Sequence, residues 1–126
     1  MHEALSEVLV LLTLILIFSI STNTFSTIIL NVNKAYSHIV LKLISNYLEN
    51  SIKYCYLEKL LYHRSMECIL ILPSEVRIEN KNDTTIIVYF KYTYDVISFD
   101  FNVYAKAKGP IVKLKVDSNG RVMISD

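Results

Sequence analysis

The sequence contains very few of the residues that interrupt regular structure. Glycine and proline occur twice each and tryptophan is absent from a chain of 126 residues. This scarcity excludes collagen-like repeats, flexible linkers and low-complexity disorder. Two glycines are also too few for a phosphate-binding loop or a dinucleotide-binding glycine motif, so we expect no nucleotide cofactor.

Charge and metal-binding residues are equally limited. Thirteen basic and twelve acidic residues give a formal net charge of +1, which provides no field to attract nucleic acid. Two cysteines cannot form a cysteine-type zinc site alone, and none of the three histidines stands at metal spacing with another ligand. No carboxylate pair is placed for acid–base chemistry. We therefore expect no metal, no enzymatic activity and no nucleic-acid partner.

The N-terminal part of the chain is strongly apolar. No lysine or arginine precedes Lys34, and Glu3 and Glu7 are the only acidic residues before it. As a helix, residues 8–30 would extend about 35 Å, enough to cross a hydrocarbon core of about 30 Å. A secretory signal peptide would need a basic start and a small-residue cleavage site, which are missing. A plain single-span anchor remains an alternative.

Apolar residues continue beyond this span at helical spacing. No glycine or proline occurs before Pro73, so we predict one helix from about Ala4 to about Tyr62, with a bend allowed near Asn23. We expect segment 31–64 to be an amphipathic continuation whose apolar face covers the domain that follows. The predicted face comprises Ile29, Val32, Tyr36, Ile39, Val40, Leu43, Tyr47 and Leu48.

The remaining residues, 68–126, show the two-residue alternation of β-strands. We predict five or six short strands, including 84–92 and 98–106, with turns at 81–83 and at Asn119-Gly120. Four lysines around Gly109-Pro110 are expected on the solvent face of a hairpin: Lys106, Lys108, Lys113 and Lys115. The predicted fold class is α+β, with a long helical spine followed by a small antiparallel sheet or β-sandwich head.

The first residues of the chain carry a resemblance to a known family. Ala4-Leu5-Ser6-Glu7-Val8, followed by an aliphatic run, resembles the class III signal peptide region of archaeal type IV pilins and flagellin-like proteins. Leu72-Pro73 and the terminal Asn119-Gly120 strand are similar to parts of the heads in that family. The resemblance implies that residues 1–4 are a leader removed by a prepilin peptidase between Ala4 and Leu5. Glu3 stands where the family usually has a basic residue.

The resemblance further implies a structural subunit of an archaeal pilus-like filament on the cell surface, with a membrane-inserted precursor. A pilus assembly ATPase would extract the precursor, and the hydrophobic helix 5–30 would pack in a homo-oligomeric helical filament. Glu7 buried in such a core needs a partner, for which we expect the new amino group of Leu5 on a neighbour. The residues expected to pack in the filament core are Leu5, Glu7, Val8, Leu11, Leu12, Ile15, Leu16 and Phe18.

The main alternative is a pilin-like or archaellum-stator-like protein that does not polymerise. Such a protein would keep its single span in the membrane and present an extracellular β-sandwich. A plain anchored binding module is a third hypothesis.

Two covalent modifications are also predicted. Cys55 and Cys68 flank the chain reversal after the long helix, so a disulfide would close a loop of about 14 residues, worth roughly 3 kcal/mol. The alternative is two buried thiols. Asn82-Asp83-Thr84 is the only N-glycosylation sequon, and it falls in a predicted turn, so Asn82 is the candidate acceptor.

Overall fold

A computed structural model describes all 126 residues of the chain as one long helix followed by seven strands. The predicted α+β fold class, a helical spine followed by an antiparallel sheet, is confirmed. Two compact units are distinguished, Met1–Tyr36 and Ser37–Asp126. The elements are α1 (His2–Tyr62), β1 (Met66–Ile71), β2 (Val76–Asn82), β3 (Thr85–Phe90), β4 (Thr93–Ser98), β5 (Val103–Lys108), β6 (Ile111–Val116) and β7 (Val122–Ser125).

Helix α1 is continuous over 61 residues because no helix-breaking residue lies within it. The bend allowed near Asn23 does not interrupt it, and it ends at Tyr62, as predicted. His63 then adopts a left-handed backbone conformation, with φ of 52°, and its amide bonds to the carbonyl of Lys59. This is the usual way in which an α-helix is terminated when the chain must change direction.

The seven strands form one open sheet in the order β1-β6-β7-β5-β2-β3-β4. Neighbouring strands are antiparallel except β5 and β7, which are parallel. Because β7 lies between β5 and β6, these two strands do not form the hairpin that the sequence suggested around Gly109-Pro110. The strands form a single sheet, so the sandwich alternative for the head is not adopted.

The strand boundaries correct two details of the sequence prediction. Strand β4 was not predicted, and Lys91 and Tyr92 form the turn that leads into it instead of ending a long strand. Strand β5 begins at Val103, five residues later than predicted. The hairpin turn at Asn119-Gly120 is confirmed: Gly120 has a φ of 80°, and Val116 and Val122 face each other across it. This turn requires positive φ, which glycine adopts without a steric cost.

The core lies between one face of the sheet and the second half of α1. The helix contributes a stripe of residues at spacings of three and four, comprising Leu41, Ile44, Leu48, Ile52 and Cys55. Facing strand residues such as Val88, Leu114 and Val122 are fully buried. Each aliphatic side chain removed from water in this way stabilises the folded state by about 1.5–3 kcal/mol.

The prediction of which helix face covers the sheet was wrong, because the buried face is rotated around the helix axis from the predicted one. Of that predicted face, Leu48 is buried and Val40 is partly buried, whereas Ile39 and Leu43 are 60% and 64% exposed. Helix α1 carries two apolar stripes at helical spacing. The stripe that runs from Leu41 to Cys55 faces the strands, and the buried face of the helix also includes the polar residue Ser45, which is 2% exposed.

A side-chain bridge replaces the regular pairing where β2 leaves β5. Backbone pairing between β2 and β5 extends as far as Glu79 and Lys106. In the pairing of β2 with β3, a bulge follows between Asn80 and Asn82. Asn80 Nδ2 donates to the carbonyls of Val103 and Asn82 at 2.7 and 2.9 Å, and Asn80 Oδ1 accepts from the amide of Ala105. The Asn80 amide therefore fixes the end of β2 that leads into the turn.

Gly109 occupies a position where the chain segments approach closely. Its amide donates to the Val76 carbonyl at 2.9 Å, and the Leu72 amide donates to the Pro110 carbonyl at 2.7 Å. A Cβ atom at position 109 would clash with the carbonyl oxygen of Pro73. Since that oxygen belongs to backbone held by these bonds, it has little room to move.

We therefore expect Gly109→Ala to lower the free energy of unfolding by about 2 kcal/mol, the usual cost of overpacking. Urea denaturation of the full chain in detergent measures the change, and Lys108→Ala at the exposed neighbouring position is the control. An unchanged midpoint for Gly109→Ala would show that the β5–β6 connection accommodates a methyl group.

Candidate functional site

The N-terminal unit, Met1–Tyr36, is a helix with no buried residue. Phe18 is 75% exposed and Leu16 is 62% exposed, and every other residue of the unit is also exposed. All residues predicted to pack in a filament core lie on this segment, and none of them belongs to the buried core. Helix α1 contains a stretch long and apolar enough to cross a membrane, and none of that stretch is buried within the chain.

The threonine hydroxyl groups of this segment are satisfied within the helix. Each of its threonines donates to the carbonyl four residues earlier, at distances of 2.8–3.0 Å. Thr13 bonds to the Leu9 carbonyl and Thr27 to the Asn23 carbonyl, for example. A hydroxyl that is paired in this way can enter an apolar environment without losing a hydrogen bond.

The predicted leader and cleavage site lie in the first turns of α1. His2 is the first helical residue, and the amide of Leu5 donates to the carbonyl of Met1 at 3.2 Å. Ala4 and Leu5 are therefore helical neighbours, both exposed. Glu7 is exposed and makes no salt bridge within the chain. The expected partner of Glu7 would have to come from another molecule.

A second exposed apolar surface lies on the part of α1 that belongs to unit Ser37–Asp126. It consists of side chains on the helix face opposite the core, 48–73% exposed, which we call the outer stripe: Ile39, Leu43, Tyr47, Tyr54, Leu57 and Leu61. The Tyr54 hydroxyl bonds to the Glu58 carboxylate, and this bond together with the carboxylate charge raises the pKa of Tyr54. Sequence analysis found half of these residues but assigned them to the core.

Several contacts tie the end of α1 to the sheet. Cys55 and Cys68 are joined by a disulfide, with their Cα atoms 7.0 Å apart. The Tyr56 ring stacks on Phe101 with centroids 4.0 Å apart, and Lys59 Nζ donates to the Ser118 carbonyl at 3.1 Å. The disulfide joins α1 to the edge strand β1, so the structure brings together the two cysteines that the sequence paired.

Asn82 is the last residue of β2, and the turn consists of Asp83 and Thr84 instead of residues 81–83. The side chain of Asn82 is exposed. No group of three His, Cys, Asp or Glu side chains is arranged to hold a metal ion. His2, His38 and His63 are exposed and lie at separate places on or beside the helix.

Comparison of the chain with protein-family models, curated proteins and solved structures finds no match.

The disulfide gives a prediction about stability. Because it closes a loop whose ends are separated by 13 positions, we expect reduction to lower the free energy of unfolding of the head by about 3 kcal/mol. Urea denaturation of the full chain in detergent, with and without reductant, measures this effect. The Cys55→Ala, Cys68→Ala double variant is the control, since reductant must leave it unchanged. Two cysteines alkylated under denaturing conditions without reductant would refute the bridge.

Proposed function

We propose that this chain is the structural subunit of an archaeal type IV pilus-like surface filament. It is held first as a single-span membrane precursor and is then assembled through its N-terminal helix. The observation that carries the proposal is the exposure of apolar side chains on α1, both within the membrane-length segment and beyond it.

The first stage needs only the apolar segment. Residues 8–30 are long enough to span the hydrocarbon core, and the threonine hydroxyls bond within the helix. Lipid would cover side chains such as Leu12, Ile15 and Phe18, which the chain itself leaves exposed. This stage alone fits the single-span anchor equally well.

The outer stripe favours the filament subunit over the solitary single-span anchor. It begins at Ile39, beyond the membrane-length segment, and continues to Leu61. Lipid tails that cover residues 8–30 do not reach it, so a solitary anchored protein would leave these side chains in water. Exposed apolar surface of this extent marks a contact site in soluble regions of proteins. Packing between neighbouring helices in a filament would cover it.

Glu7 supports the same arrangement. It is the only charged residue between the proposed cleavage site and Lys34, and it has no partner within the chain. In a filament core an unpaired carboxylate would be costly. Cleavage before Leu5 creates an amino group that can pair with Glu7 of a neighbouring subunit, so processing and assembly are coupled through one ion pair.

The head would form the outer wall of the filament. Its sheet is stapled to α1 by the Cys55–Cys68 disulfide, a bond that persists in the oxidising conditions outside a cell. Strand face residues such as Lys106 and Lys113 are exposed and keep that face soluble. The alternative function, a non-polymerising anchored protein, uses the same head but assigns no role to the outer stripe.

Substitutions in the two parts of the helix test the proposal. We expect Leu12→Lys to abolish filaments because a buried ammonium costs about 3 kcal/mol at the centre of a membrane, and every subunit in a filament would repeat it. We expect Leu43→Glu to abolish filaments as well, while leaving membrane insertion and the head fold unchanged. Electron microscopy of surface fibres and immunoblots of the membrane fraction measure these effects.

Lys42→Glu is the matched control for Leu43→Glu, because it places a carboxylate on the adjacent exposed residue outside the stripe. Normal fibres from Leu43→Glu cells would exclude the outer stripe as a subunit contact. Wild-type cells that hold the chain in the membrane but never in fibres would support the anchored alternative.

Processing is tested separately. We expect the protein purified from its own cells to begin at Leu5 and to lack residues 1–4, since the leader is removed before assembly. Intact mass and N-terminal sequencing check this. A native product that retains His2 and Glu3 would refute pilin maturation while leaving the membrane span unaffected.

A further inference from the structure

We propose that Asn82 is the acceptor of an N-linked glycan and that the polar depression beside it holds the first sugar. The proposal depends on the proposed function in one respect, that the head faces the side of the membrane where glycan transfer takes place. It goes beyond that function because filament packing requires nothing of Asn82.

The acceptor side chain is presented on a rigid turn. Asn82 and Asp83 are exposed, and the turn backbone accepts two hydrogen bonds, one from the β4–β5 connection and one from the first residue of β5. The Phe99 amide donates to the Thr84 carbonyl at 2.9 Å, and the Val103 amide donates to the Asp83 carbonyl at 2.8 Å. The acceptor is therefore reachable in the folded protein, and its position does not depend on a disordered loop.

The three sequon residues are arranged for reaction at the Asn82 amide. Asn82 Oδ1 accepts from the Thr84 amide at 3.0 Å and lies 3.3 Å from the Thr84 hydroxyl oxygen, which also donates to it. Both donors act on the atom that carries negative charge when the amide loses a proton, so they favour the deprotonated form. Asn82 Nδ2 makes no hydrogen bond within the chain and is free to react.

The chemistry needs one co-reactant, a lipid-linked oligosaccharide (pyro)phosphate. The Asn82 Nδ2 atom attacks the anomeric carbon of the first sugar, and an N–C bond forms as the C–O bond to the phosphate breaks. The lipid (pyro)phosphate leaves with the electron pair, and the Nδ2 proton passes to a base of the transferase. No oxidant or reductant is required.

A depression of about 350 Å³ adjoins the acceptor and suits a sugar. Its walls include the side chains of Asn102, Tyr104 and Arg121, all exposed. The polar atoms of these side chains make no hydrogen bond within the chain, so they are available to sugar hydroxyls. The Tyr104 ring adds an apolar surface on which the face of a pyranose can pack.

The first test is the mass of the protein as it exists in its own cells. We expect the native peptide that contains Asn82 to carry a glycan mass, and we expect Thr84→Val and Asn82→Gln to lose it. Thr84→Ser is the matched control: it keeps the hydroxyl and the sequon, so the glycan must remain. A native Asn82 peptide of unmodified mass would overturn the proposal.

A second test separates this proposal from filament assembly. The full chain, purified in detergent, is mixed with the oligosaccharyltransferase and lipid-linked oligosaccharide from membranes of the same cells. Transfer to the wild type and to Leu43→Glu, but not to Thr84→Val, would support Asn82 as the acceptor even if no filament exists. Failure of transfer to the folded wild-type chain would overturn it, whatever the outcome for filaments.

The role of the depression is tested by the effect of the glycan on the Tm. Glycosylated wild-type protein is expected to have a higher Tm than the unmodified protein, because the sugar packs on the depression. Tyr104→Ala is expected to leave the occupancy of Asn82 unchanged and to abolish this increase in Tm. An equal increase in the Tyr104→Ala variant would show that the sugar does not rest there.

Discussion

The whole head depends on covering one face of an open sheet. Seven strands present side chains such as Val88, Leu114 and Val122 on that face, and no second sheet packs against it. The helical residues Leu41, Ile44, Leu48 and Ile52 provide the cover. Since a sheet of about 60 residues cannot bury enough apolar surface alone, the helix is part of the core and not merely an attachment. The Cys55–Cys68 disulfide and the Tyr56–Phe101 stack lie where this shared core ends.

Because the helix is held through one face, the opposite face has a fixed orientation. The outer stripe is consequently presented outward by a rigid element, with Leu43 64% exposed directly behind the core residues. A single helix thus stabilises its own head with one face and leaves an apolar surface exposed on the other. The apolar N-terminal segment needs no such support, because its covering would come entirely from lipid or from other helices.

Patterns along the chain were sufficient for the broad architecture. The absence of glycine and proline before Pro73 predicted a continuous helix, and alternation predicted the strands that begin at Val76 and Ile111. The sequence does not reveal which face of the helix packs against the sheet, because two apolar stripes have the same spacing. Only the tertiary structure distinguishes them. Strand β4 was missed because Lys91 and Tyr92 continue the alternation of β3 through a turn. The Thr84 bonds to Asn82 and the depression beside them require tertiary structure, although the sequon itself was visible.

The position of β7 sets an order of events during synthesis. It is the last of the seven strands to be made, yet it lies between β6 and β5 and pairs with both. Without it, the sheet falls into a two-strand part and a four-strand part with no backbone bonds between them. The apolar helix, made first, can enter a membrane while the head is still incomplete. The sheet can therefore become continuous only after Val122–Ser125 has left the ribosome, so the head cannot complete its fold before its last strand is free.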